Sequence, residues 1–582
     1  MKKLLLSLVF ILSTAAMFAT TFYVSTSGND ANSGTIVAPF KTLSKAVATV
    51  RTAGDIIHVN AGTFTESQSM DLAAGVSIEG DNKTTTIIKG NTTGFDVPII
   101  TMQSPDNTNG NQHISNLTFD GQYVSASNHK AGLAIWITGR SNVSIYDCII
   151  KNFWWRGVIY NGINTDNPGT DAGFTKAIGN TFYNNTVTNC ADYGISGGGS
   201  GALNIGFQKG MLIYNNFIQQ NERPEGLNGW PIKYWNQGWI EGVKIYNNTL
   251  IKKPYGGTYP GESGWDFAIE FFNIMGLEIY GNNIQNGAID LSYSYKGSYA
   301  YSVWIHDNNI HNPVVNTKGE GAIILEFRTE SALIENNTIN NKTYGISFNT
   351  RAPNNKGDDR NNFVGGNVPG GYSYVTDCII RNNLLNNMYQ GSGIVNRFGI
   401  GVISEGTDDP QINNMQMYNN TIIGKAGSPS NIGFDFTSQP NGKVTGVTIK
   451  DNIIVGFANE SIKGVKAPTQ SGVNITNNCY WNNPAPVWPS ATITGNFSSN
   501  PNFDANYVST LPIGYKPSGV IVPPPVSCTS WTFGAWSACN NGVQTRVQLS
   551  SSPLGCVGNA PTDSLTRSCT IVLPPSDTTY CT

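Results

Sequence analysis

Charge is scarce in this chain. Only 13 % of its 582 residues are Asp, Glu, Lys or Arg, and 38 acids against 35 bases leave a formal net charge of -3. That balance supplies no electrostatic case for a nucleic-acid partner or an anionic membrane surface. Histidine is rarer still: His58, His113, His129, His306 and His311 show no metal-ligand spacing and are assigned no site. A hydrophobic run long enough to span a bilayer is also absent. The opening MKKLLLSLVFILSTAAMFAT places Lys2 and Lys3 before a short apolar run, Leu4 to Leu12, and small residues after it, the pattern of a secretory leader cleaved near Ala19 or Thr20. The mature protein is therefore expected to be secreted or held at a bacterial cell surface, without membrane insertion. Glycine is plentiful at 64 and charge is low, so few helices are expected.

Cysteine is thin over most of the chain and dense at its end. Cys148, Cys190, Cys378 and Cys479 are scattered among aliphatic residues, where an inward thiol behaves as a small apolar side chain. Cys528, Cys539, Cys556, Cys569 and Cys581 crowd the C-terminus, a density that in a secreted chain suggests a stapled small module.

What the chain does have is a repeated phrase: an apolar or aromatic residue, two amides or their equivalents, then an aliphatic. It appears as IYNNFI around Asn215, IYNNTL around Asn247, IYGNNI around Asn282, IHDNNI around Asn308, IENNTI around Asn336, IRNNLL around Asn382, MYNNTI around Asn419, IKDNII around Asn452 and ITNNCY around Asn477. With the second polar position as marker, the sites are Asn216, Asn248, Asn283, Asn309, Asn337, Asn383, Asn420, Asn452 and Asn478. A repeat of this size marks a solenoid, and its extended, β-branched flanks read as strands. The asparagines fit a turn, where an amide tolerates left-handed backbone and can bond its stacked twin in the next coil. Uneven spacing then means loops inserted at one corner.

The pattern resembles the right-handed parallel β-helix of the pectate-lyase-like superfamily, over roughly Thr21 to Val508. The resemblance implies an all-β, right-handed, single-stranded parallel β-helix at 21–508. One fold of this kind hosts lyases, hydrolases, epimerases and non-catalytic surface proteins, so it leaves function open. Ahead of the coils, FYVSTSGNDANSGTIVAPFKTLSKAVATVRTAGDIIHV resembles the opening of many secreted β-helix lyases. Its short amphipathic helix, with Leu43, Ala46 and Val50 on one side, is expected to cover the open end of the first coil. Residues 509–527 read as a proline-rich linker. Residues 528–570 resemble a thrombospondin type-1 repeat on Trp531, Trp536, Ser537, Cys539, Gly542, Gln544 and Arg546. That resemblance implies a cation–π ladder of Trp531, Trp536 and Arg546, and disulfides among Cys528, Cys539, Cys556 and Cys569 with the pairing open. Residues 571–582 echo the start of that module and read as the beginning of a truncated second copy.

Chemistry is sought on the strand before each amide phrase. Apolar–polar–apolar triplets recur at Ile232-Lys233-Tyr234, Ile269-Glu270-Phe271, Ile289-Asp290-Leu291, Leu325-Glu326-Phe327, Ile346-Ser347-Phe348 and Phe434-Asp435-Phe436. Alternation points each middle residue away from the core, and coils about 4.8 Å apart stack those residues into a column. The expected column is Lys233, Glu270, Asp290, Glu326 and Ser347, with Trp235, Phe272, Ser292, Arg328 and Asn349 alongside. Glu270 and Glu326, two coils apart, are the expected carboxylate pair for acid–base glycosidic cleavage, with Asp290 between them to orient water or tune either partner. A second reading makes the same residues a lyase site, with calcium on Glu270, Asp290 and Glu326 and with Lys233 or Arg328 as base. A third is an adhesin that binds glycan without cutting it. Loops carrying Trp230, Trp239, Tyr255, Tyr259 and Trp265 bring aromatic rings toward the column, and with Trp235 and Phe272 they suit a polysaccharide partner. Trp154, Trp155 and Arg156 extend the same groove. GISGGGSGAL lacks the strand–helix context of a phosphate loop. Hydrolysis requires no cofactor; a monomer is expected.

Overall fold

An aliphatic residue occupies the middle of almost every strand, and stacking places these residues one above another. On one face Ile145, Phe182, Ile213, Ile245, Ile279 and Ile305 follow in parallel register. On a second, Ile150, Val187, Ile218, Leu250, Ile284 and Ile310 do the same. On the third, Val158, Leu203, Ile232, Ile269, Ile289 and Ile323 align. All of them fall in one continuous core. Among the described residues the second face is a sheet of 14 parallel strands, and short bridging strands join the other two faces into a sheet of 34. The protein is a parallel β-helix, as its repeat implied. This computed structural model describes residues 19–517 apart from 95, 126, 165–174, 191–199, 221–228, 237, 253–266, 314–320, 352–373, 390–397, 406–410, 427–431, 437–442, 458–459 and 464–468, together with parts of 530–568.

The two polar positions of the repeat divide the work of the turn. The first takes left-handed backbone: φ is 55° at Asn215, 54° at Asn247, 63° at Gly281, 54° at Asp307 and 56° at Asn336. Asn, Asp and Gly tolerate that region best. The second is turned inward and buried. Each of these asparagines donates through Nδ2 to the Oδ1 of the next, at 2.9 to 3.1 Å, from Asn185 through Asn216, Asn248, Asn282, Asn308, Asn337, Asn383, Asn420, Asn452 and Asn478 to Asn496. The expected markers Asn283 and Asn309 are thereby corrected to Asn282 and Asn308. Gly281 and Asp307 take the left-handed position, so the residue immediately after each is the one that turns in.

The helix Leu43–Thr49 is the only one among the described residues, and Leu43, Ala46 and Val47 bury against the first coil. Thr42 caps it by accepting from the Lys45 amide at 3.1 Å. Burial raises the Glu66 carboxyl above its ordinary range, although that group accepts from Ser44 and, at 2.9 Å, from the Leu43 amide. Cys148, Cys190, Cys378 and Cys479 are buried thiols without disulfides, and burial pushes Cys148 and Cys378 up to about 12.

After the last coil the chain turns back along the outside. Ile513 packs with Ile453 and Cys479, the Tyr515 amide donates to Thr421 Oγ1 at 2.9 Å, and the Lys516 amide donates to Asn382 Oδ1 at 2.8 Å. The part of the linker up to 517 is thus docked on the coils. Further on, Ser530–Phe533 pairs antiparallel with Gln548–Ser552, and Val543–Thr545 with Thr566–Ser568. Trp536 lies 4.4 Å from both the Arg546 and the Arg567 guanidinium. Cys528, Cys539, Cys556 and Cys569 lie outside the described residues.

Candidate functional site

On the third face each strand enters with a kink. Two successive residues, such as Ala202 and Leu203 or Ala268 and Ile269, both join the core, and alternation then runs regularly. Two outward rows result. The first is Trp136, Ile159, Asn204, Lys233, Glu270, Asp290, Ile324, Ser347, Gly401 and Asp435. The second, two residues further along, includes Phe272, Ser292, Glu326 and Asn349. Lys233, Glu270 and Asp290 are therefore direct neighbours on consecutive coils, as periodicity implied. Glu326 is not next in that row; Ile324 stands there, and Glu326 belongs beside Ser292.

The reason lies in the strand Ile323–Glu330, where the all-apolar triplet Ile323-Ile324-Leu325 overlaps the apolar–polar–apolar triplet Leu325-Glu326-Phe327, so either can supply the outward position of the first row. An outer apolar ridge of Trp230, Phe267, Ala288, Ile324, Tyr344, Phe398 and Ile432 accepts Ile324 outside the core and selects the earlier triplet. Phe327 then adopts φ 62°, which breaks the alternation and sends its ring outward. Arg328 follows that break. It pairs with Glu330 and lies 4.6 Å over Tyr295, at the edge of a cleft of about 500 Å³ that also involves Gln411, Asn413 and Lys443.

The expectation of solvent-facing acids is also corrected. They point away from the core, yet Glu270 is 7 %, Asp290 2 % and Glu326 5 % exposed. Rings lie along both sides of them: the apolar ridge on one side, and on the other Trp239, Phe272, Tyr293, Tyr295 and Phe327. Within this shelter Lys233 Nζ pairs with Glu270 Oε2 and lies 3.8 Å over Trp230 and 4.5 Å over Tyr234. Burial pulls the Lys233 ammonium below its ordinary range, against the pull of Glu270 and Asp290. Ser292 Oγ donates to Glu326 Oε2 at 3.3 Å, and Asn349 Nδ2 donates to Oε1 at 3.2 Å.

Of the aromatic residues expected along the groove, Trp230, Trp239 and Phe272 are at most 3 % exposed and build the walls from within. Trp235 keeps a partly exposed ring. Trp265, Tyr259 and Tyr255 lie outside the described residues. Sequence reasoning passed over Trp136 and Asn204 in the first row. Both share the strand position of Lys233 in earlier coils, and counting back from Lys233 through the repeat is the signal that finds them. Among the described residues no group of three His, Cys, Asp or Glu side chains is placed to hold a metal ion. Nor is any helix among them long and apolar enough to cross a membrane.

A family model described as a protein of unknown function, DUF1565, matches residues 26–286, from the cap through the Glu270 strand and short of Asp290. No curated protein matches. Among solved structures the chain is similar to the complex of XylC with xylose at 12 % identity and TM-score 0.36, covering 83 % of this chain and 87 % of that one. It is similar to the catalytic unit of a thermostable GH87 α-1,3-glucanase from Streptomyces thermodiastaticus at 14 % identity and TM-score 0.39, covering 68 % of this chain and 64 % of that one. It is also similar to a mannuronan C-5 epimerase A-module from Azotobacter vinelandii at 13 % identity and TM-score 0.38, covering 76 % and 91 %.

Proposed function

We propose that the protein is a secreted or surface-displayed enzyme that hydrolyses glycosidic bonds of an extracellular polysaccharide on the third face of the β-helix, through Asp290 and Glu326. The observation that carries the reading is the diagonal of these two acids in a sheltered, ring-flanked trough. Asp290 sits one coil before Glu326 and two residues back along the strand, which separates the backbones by roughly 8 Å. Side chains reaching across that span match the spacing at which one carboxylic acid protonates the leaving oxygen while the other carboxylate activates water. The two hydrogen bonds into Glu326, from Ser292 and Asn349, fix the orientation of its carboxyl group for the base role. Asp290, beside the Glu270 carboxylate, takes the acid role. Glu270 and Lys233 form an ion pair on the coils just before Asp290, and Asp290 and the Lys233 ammonium act on one another electrostatically. Arg328, committed to Glu330, is assigned no step. The C-terminal segment, where Trp536 is held between Arg546 and Arg567, is read as a thrombospondin type-1-like attachment module.

Elimination is the second reading, and the observation that favours it is the burial of Lys233, since burial disfavours the ammonium and so favours the free amine, the form that accepts a proton. Product analysis separates the two. On a polysaccharide panel, hydrolysis releases new reducing ends without an unsaturated product, and Glu326→Gln and Asp290→Asn each lower kcat by about 10² to 10⁴. Unsaturated ends establish elimination instead, and their loss in Lys233→Met with Glu270→Leu, which restores the charge balance of the pair, assigns the base. Binding without either product, unaffected by the three variants, makes the face an adhesin surface.

A further inference from the structure

Upstream of the acids the same face holds a cation with no counter-charge among the described residues. Arg156 opens its strand, 7 % exposed, and its Nε and Nη1 meet no acceptor. Its guanidinium lies 3.5 Å over the Trp155 ring and 4.8 Å over the Trp235 ring. Trp136 packs edge-on to Trp235 at 5.4 Å, and the indole N–H groups of Trp136 and Trp235 are likewise sealed without an acceptor. The Oδ1 atoms of Asn161 and Asn204, on this coil and the next, are sealed without a donor. Burial pulls Arg156 down to about 9, against the influence of Tyr234, which leaves it charged at neutral pH.

A buried guanidinium without a carboxylate is unfavourable, and folding alone gives no reason to keep it, because a methionine would fill the space. Ring faces offset part of the desolvation but satisfy none of the N–H groups. Four unsatisfied donors gathered around these rings, with two amide oxygens on the adjoining strands, offer a site for a group with several acceptor oxygens attached to a hydroxylated ring. The neighbouring row restricts the charge pattern. Toward the acids it presents Lys233, already paired with Glu270, and then Asp290, so consecutive anionic sugars would place charge against carboxylates.

We infer that Arg156, Trp136 and Trp235 form a subsite for a single anionic sugar substituent, a carboxylate or a sulfate, carried on an otherwise neutral glycan. The inference rests on reading this face as glycan-binding, and it names the substrate class. Trp235, partly exposed above the guanidinium, is the ring that turns aside on binding.

The test is binding, read by tryptophan fluorescence and calorimetry, with glucuronate, glucose, the methyl ester of glucuronate, a sulfated monosaccharide and oligogalacturonate as probes. Glucuronate is expected to give a saturable response that glucose and the ester do not. Arg156→Met should weaken it roughly ten- to hundredfold, the loss appropriate to hydrogen bonds with a charged group, while raising the melting temperature. Trp136→Phe and Trp235→Phe, which remove only the indole donors, should weaken it less. An equal response to the sulfated sugar extends the subsite to either anion. No saturable response to glucuronate or the sulfated sugar, or an unchanged response in Arg156→Met, overturns the subsite; oligogalacturonate binding tighter than the monomer overturns the sparse-charge pattern. Glu326→Gln should bind glucuronate as wild type does. Loss of the cleavage reading therefore shows in product release and loss of this one in binding.

Discussion

Lys233 and Glu270 are both under a tenth exposed, and each is the other's partner. Removing one leaves an uncompensated buried charge, a loss of about 3 to 5 kcal/mol, whereas replacing both with apolar side chains of similar size is close to neutral. Lys233→Met should therefore destabilise strongly in denaturant titrations, and Lys233→Met with Glu270→Leu should recover most of that loss. Full additivity of the two changes would mean the pair contributes nothing. His306 closes a ladder of stacked rings, Tyr146, Tyr183, Tyr214, Tyr246 and Tyr280, lying 4.9 Å from the last. Burial opposes its charge, but Asp307 at 2.7 Å and Glu278 at 3.3 Å outweigh burial and raise its proton affinity above the ordinary 6.5. The resulting stability is fully present below pH 6.5 and is lost as pH rises through the raised folded value. His306→Gln should thus differ most from wild type in acid, with the gap closing toward alkaline pH; a gap constant across a pH series of unfolding curves would remove charge from the account.

At the scale of the element, the asparagine ladder is the feature on which the coil stack depends most visibly. Asn337 donates to Ile305 O at 2.9 Å, Glu335 O at 3.0 Å and Asn383 Oδ1 at 3.0 Å, and accepts from the Asn308 amide at 3.1 Å. All of this is buried, so Asn337→Ala orphans several backbone groups at once and should cost about 3 to 5 kcal/mol. Asn496 ends the ladder and is partly exposed, so Asn496→Ala should cost about 1 kcal/mol. Equal losses at the two positions, measured by chemical denaturation, would show that the ladder does not act through burial. The strand Ile323–Glu330 teaches the opposite lesson: a local pattern admits two registers, and the neighbouring ridge of rings chooses between them.

For the molecule as a whole, a parallel coil stack is a one-dimensional array, stabilised by nearest neighbours and vulnerable at its ends. The N-terminal end is covered by Leu43–Thr49. The C-terminal coils are strapped by residues 509–517, which reach back to Asn382 and Thr421. Deleting the chain after Val508 should lower hydrogen-exchange protection in Thr421–Gly424, Ile453–Val455 and Cys479–Trp481 while leaving the first coils unchanged. Undiminished protection in those three strands would make the strap an ornament of the surface.

The sequence by itself determined the parallel β-helix, the helical cap, the inward thiols and the adjacency of Lys233, Glu270 and Asp290. Each follows from a repeat whose alternation and turn chemistry are local and therefore readable one coil at a time. Only the tertiary structure decided that Glu326 stands diagonal to Asp290, that Arg328 is turned aside to Glu330, and that Arg156 is sealed among tryptophans. Those outcomes depend on which outward side chains the neighbouring coils shelter, and a packing choice between distant coils leaves no periodic trace in the chain.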